Sequence, residues 1–152
     1  MKEIVTYLLT GLLFVALLPQ TSTCAQQIKI DNVWSRPVHT TTDSQGNYLS
    51  NGAVYLTMKN SGTADALISV ETDVCKKAEL HQSKMVNGMM TMKMLNNGIA
   101  LPAQGVMKMK PGSYHIMLIG LRNSLNPGDT FALILHFEKS DPVTVLSYVR
   151  TP

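Results

Sequence analysis

Four side chains in two short stretches stand out for the chemistry they could do together. His81 opens "HQSKMVNGMMTM", with Met92 at the end of it, and His115 and Met117 stand two apart in "YHIM". Thioether sulfur is neutral and soft and imidazole is borderline, a donor set that suits Cu(I). Mg²⁺ and Ca²⁺ want carboxylates, which both segments lack apart from Glu79. Zinc sites seldom use thioether, so zinc is the weaker match.

Such a site needs elements that aim the side chains at one point. Asn87-Gly88, flanked by strand-like runs, is the strongest short hairpin signal and predicts a two-residue type I′ turn. With that tip, Val86 pairs with Met89, Met85 with Met90, Ser83 with Met92, and His81 with Met94. Side chains alternate faces along a strand. His81, Ser83, Met85, Met90, Met92 and Met94 then share one face, and Lys84, Thr91 and Lys93 take the other. His81 and Met92 become diagonal neighbours, about 7–8 Å apart at the backbone. His115 and Met117, two apart on another strand, also project together. A one-residue slip of the hairpin would undo this pattern.

Methionine stripes are usually core, and a single His on a strand is usually structural or exposed. Eight of the ten methionines nevertheless fall between Met85 and Met117, where even spreading would give about two. Met58, Met89, Met107 and Met109 are assigned to packing or rim. Met85, Met90 and Met94 remain as auxiliary sulfurs.

Residues 1–25 read as a secretory signal, with an apolar stretch from Ile4 to Leu18, then Pro19 and small polar residues. The apolar run is too short for a membrane span. Cleavage after Ala25 is favoured over lipid attachment at Cys24, because Thr21, Ser22 and Thr23 fit the lipobox poorly. Without Cys24 the mature chain keeps Cys75 alone and forms no internal disulfide, and Cys75 itself reads as a small buried apolar residue. Export also favours methionine as a soft ligand, since thiols outside the cytoplasm oxidise to disulfides.

Residues 26–152 alternate short strand patterns with turn signals such as Asn60-Ser61-Gly62, Asn96-Asn97-Gly98, Pro111-Gly112 and Asn126-Pro127-Gly128-Asp129. Eight or nine strands without an amphipathic helix indicate one all-β domain, an antiparallel sandwich or barrel. The formal charge of +3 is spread along the chain with no block of like charge, and no basic run suggests nucleic acid. Lys84, Lys93, Lys108 and Lys110 read first as solvated lysines and second as a rim for an acidic partner.

The order His81, ten residues, Met92, then His115-x-Met117 resembles the PCuAC family of periplasmic copper chaperones, whose pattern is H-x10-M-x21-H-x-M. The similarity extends to "VWSRP", "GAVYLTMKNSG", "AELHQSKMVNGMMTMKM", "MKPGSYHIMLIGL" and "NPGDTFALILHFE". It implies a cupredoxin-like Greek-key β-sandwich that binds Cu(I) through His81, Met92, His115 and Met117. It further implies hand-over of copper to a subunit of cytochrome c oxidase or to another chaperone. Two departures stand out. The gap from Met92 to His115 is one residue longer, assigned to the loop at Asn96-Asn97-Gly98, and Ser83 stands where relatives often carry Met.

Other readings have less to rest on. An electron-carrying cupredoxin needs a Cys ligand clustered late with His and Met, whereas Cys75 precedes His81. A hydrolase lacks a G-x-S-x-G elbow, so no enzymatic role is expected. A metal-free carrier or adhesion sandwich remains the bland alternative. His39, in the Thr-rich loop, is a candidate for a separate Cu(II)-type site, and His136 in "LILHFE" reads as structural or solvent-facing.

Overall fold

A computed structural model describes residues 27–151; residues 1–25, read above as a secretory signal, with Cys24 and the expected cleavage after Ala25, lie outside the described residues. The described residues form ten strands and no helix. These are β1 (Ile28–Ser35), β2 (Gly52–Asn60), β3 (Asp65–Glu71), β4 (Cys75–Val86), β5 (Met89–Met94), β6 (Ile99–Leu101), β7 (Val106–Lys108), β8 (Tyr114–Leu121), β9 (Thr130–Phe137) and β10 (Val143–Val149). The short β6 goes beyond the sequence reading, because three residues carry too little periodicity to register. It pairs with β3, and Gly98 makes the approach possible: a Cβ there would collide with the Leu67 carbonyl oxygen.

The strands are hydrogen-bonded in the order β5-β4-β8-β2-β1-β10-β9-β3-β6, with β7 on β2. Buried side chains from both halves of that path, Leu56 and Leu118 on one and Leu67, Leu133 and Leu135 on the other, belong to a single apolar cluster. The ribbon therefore folds over on itself into two layers around one core. Strand β9 shows the underlying pattern, with Phe131, Leu133, Leu135 and Phe137 inward and Thr130, Ala132 and Ile134 outward.

Strand β1 joins the layers. Asn32, at φ 51°, sits in the left-handed region and shifts the β1–β2 register between Asp31 and Trp34. This bulge lets Trp34 and Ser35 pair with β2 on one side and β10 on the other. The direction of β10 is set by its antiparallel pairing with β9, so it meets β1 parallel. That single parallel pair departs from the fully antiparallel expectation.

Asp65 pins the start of β3 to the β9–β10 turn. Its carboxylate accepts from the backbone N–H of Ala66, Lys139 and Ser140 and from the Ser140 hydroxyl. Desolvation pushes its pKa up, but the Ser140 hydroxyl and the three amides outweigh it and hold the carboxyl below its ordinary value.

Candidate metal centre

The β4–β5 hairpin turns at Asn87 and Gly88, both at positive φ (50° and 79°) as a type I′ turn requires. Its register agrees with the sequence reading: His81 opposes Met94, Ser83 opposes Met92, Met85 opposes Met90 and Val86 opposes Met89. On its other edge β4 pairs with β8, where His81 directly opposes His115 and Glu79 opposes Met117. One cross-strand row thus carries Met94, His81 and His115, and His115 leads on to Tyr55 and Trp34. The ring centroids lie 5.8 Å apart for His81–His115, 6.3 Å for His115–Tyr55 and 4.8 Å for Tyr55–Trp34.

His115 is buried, 3% exposed. Its Nδ1–H donates to the Ser113 carbonyl at 3.1 Å, which leaves the Nε2 lone pair free. Burial lowers its pKa, the Ser113 carbonyl opposes that shift, and the nearby His81 adds to it. The ring is therefore held neutral, the form that can ligate a metal. Met92, His115 and Met117 border one open depression of about 310 Å³, together with Tyr55, Ser83 and Gly112.

His81 stands beside this depression with its ring tied elsewhere. Its Nε2 lies 2.8 Å from Glu79 Oε2, and its Nδ1 is buried without a hydrogen-bond partner. Glu79 Oε1 in turn meets Lys77 Nζ at 2.6 Å. The Lys77 ammonium first, and His81 second, hold the Glu79 carboxyl below its usual range, so it accepts as an anion. The carboxylate orients His81 as the Ser113 carbonyl orients His115. Glu79 and Ser113 were not singled out in the sequence as positioning groups. For Glu79 the signal was available, since Glu-Leu-His on a strand puts the two polar side chains on one face.

The remaining candidates divide. Met94 opposes His81 but borders a different surface hollow, with Glu79 and Leu95. Met85 and Met90 lie further along the hairpin, beyond the last β8 partner, Gln82. Met58, Met107 and Met109 pack in or against the core, whereas Met89 is exposed. Cys75 is buried; its thiol donates to the Lys77 carbonyl, and desolvation raises its pKa. His39 is exposed in its loop, and His136 Nε2 lies 3.2 Å from Glu71 without the alignment of a hydrogen bond. Lys84, Lys93, Lys108 and Lys110 are all exposed. Among the described residues, no three His, Cys, Asp or Glu groups are arranged to hold a metal ion by themselves.

Comparison with known proteins gives the same architecture. The LpqE-like family model, described for a lipoprotein, matches residues 28–149. A protein of Leifsonia xyli subsp. xyli with a lipoprotein name is 30% identical over 96 residues, which cover 61% of this chain and 58% of that one. A protein of Rickettsia prowazekii is 31% identical over 106 residues, covering 69% and 56%. The chain thus spans little more than half the length of these curated relatives. Among solved structures, the copper-bound PCuAC domain from PmoF2 superposes with a TM-score of 0.61 at 23% identity, covering 83% of this chain and 94% of that one. A Cu(I)-bound protein of Deinococcus radiodurans gives 0.60 at 24% identity, covering 83% and 81%. At that identity the likeness establishes a shared fold. Matched from its first strand to its last, the chain belongs to the LpqE-like family.

Proposed function

We propose that this protein is an exported copper chaperone that carries Cu(I) on His81, Met92, His115 and Met117. The observation that carries the reading is the shared depression: Met92, Met117 and the buried His115 border it, and the His81 ring stands 5.8 Å from that of His115. Four neutral donors hold a soft monovalent ion without thiolate charge, so a cysteine-based acceptor can take it by ligand exchange. His81 joins through its partnerless Nδ1, or through Nε2 once Glu79 lets go. The fold shared with copper-bound PCuAC domains supports the reading.

Hand-over to a copper centre of a respiratory oxidase, or to a second chaperone, follows from the family resemblance, and chaperoning leaves no enzymatic step. The lipoprotein description of the family supports export, with Cys24 as the residue a lipid would occupy. Anaerobic Cu(I) competition titration of residues 26–152 tests the site. One tight equivalent is expected, with a clear loss in His115→Ala and in Met92→Leu. Unchanged affinity in His115→Ala would instead support a metal-free carrier, and an intense blue Cu(II) form would support an electron-transfer protein.

A further inference from the structure

Met85, Met90 and Met92 are 63%, 56% and 52% exposed, so the hairpin leaves three large apolar side chains uncovered. Nothing in the core explains them. Met85 and Met90 are a direct cross-strand pair, and Met92 follows on the same face, opposite the small Ser83. Directly paired side chains start about 5 Å apart and diagonal ones about 7–8 Å, within reach of three flexible thioethers converging on one ion. Met85 lies four residues from His81 on an extended strand, about 13 Å, so it cannot complete the histidine site.

From this arrangement we propose a second, thioether-only Cu(I) site made by Met85, Met90 and Met92, a staging post through which the ion enters and leaves the histidine site. The proposal rests on the copper reading above. The two sites adjoin: a Cβ on Gly112 would come within 4.0 Å of the Met90 methyl, and Gly112 borders the same depression as Met92, His115 and Met117. Met92 is common to both. The ion moves inward when the Met85 and Met90 sulfurs give way to His115 Nε2 and the Met117 sulfur, while Met92 stays bound. Every donor is neutral, so no proton is released and copper remains Cu(I) throughout. Hard cations find nothing here, because no carboxylate occurs between Leu80 and Gly128.

The test uses the mature chain with methyl-labelled methionines, titrated anaerobically with Cu(I) from a bicinchoninate buffer. The first equivalent should move the Met92 and Met117 methyl resonances, and a second, weaker one those of Met85 and Met90. Met85→Leu/Met90→Leu, at exposed positions that leave the core intact, should lose the second step and keep the first. Unmoved Met85 and Met90 methyls, or an unchanged second step in that variant, would overturn the staging site while leaving the histidine site standing. His81→Ala/His115→Ala should do the reverse, losing the tight step and keeping the thioether one. If the parent shows no tight step but retains the thioether step, the histidine reading fails alone.

Discussion

Strands β9 and β5 carry the same kind of pattern and meet opposite fates. Each alternates large apolar residues with others, Phe131, Leu133, Leu135 and Phe137 on β9 and Met90, Met92 and Met94 on β5. Strand β9 is paired on both sides, by β10 and β3, and its apolar row is buried to 7% exposure or less. Strand β5 is the last in the order, held by β4 alone, and its row stays 41–56% exposed. Period two therefore says which residues share a face, but not whether another layer covers it. Where nothing covers it, residue type becomes informative. Leucine on β5 would be an aggregation hazard, whereas a row of thioethers beside two histidines has the donor chemistry of the copper site proposed above.

The contrast is sharpest in stability. Leu133→Ala, in the buried row, should cost about 2–5 kcal/mol, read as a lower denaturant midpoint at unchanged slope. Asp65→Ala should come next, at about 1–2 kcal/mol, because it strands three part-buried backbone amides and the Ser140 hydroxyl. Its pH dependence has a definite sign. The folded pKa lies below the unfolded one, so the contribution is complete above about pH 4 and is lost as pH falls through the lower folded value. Acid unfolding of Asp65→Asn should accordingly be shallower than that of the parent over that interval.

On the open face the expected effects appear in metal binding. Glu79→Gln keeps an acceptor for His81 but removes the charge, and should weaken Cu(I) binding about tenfold in competition titration. Met90→Leu should change stability least, within about 0.5 kcal/mol, since its side chain lies outside the core and is 56% exposed. A Met90→Leu cost comparable to that of Leu133→Ala would erase the distinction between the two strands.

The chain by itself determined whatever is local. Alternation defined nearly all the strands, and the Asn87-Gly88 turn, with only two residues at positive φ, left one register for β4 and β5 and so one face for His81 and the methionines. Tertiary structure decided what depends on residues far apart in sequence. The pairing of β4 with β8 sets His81 opposite His115 across a gap of more than thirty residues, and no turn dictates that register. Likewise the Asn32 bulge, with β10 held by β9, closes the two layers through a parallel pair. Folding also chose which apolar row to cover, because burial belongs to the packing of layers and not to the period of any one strand.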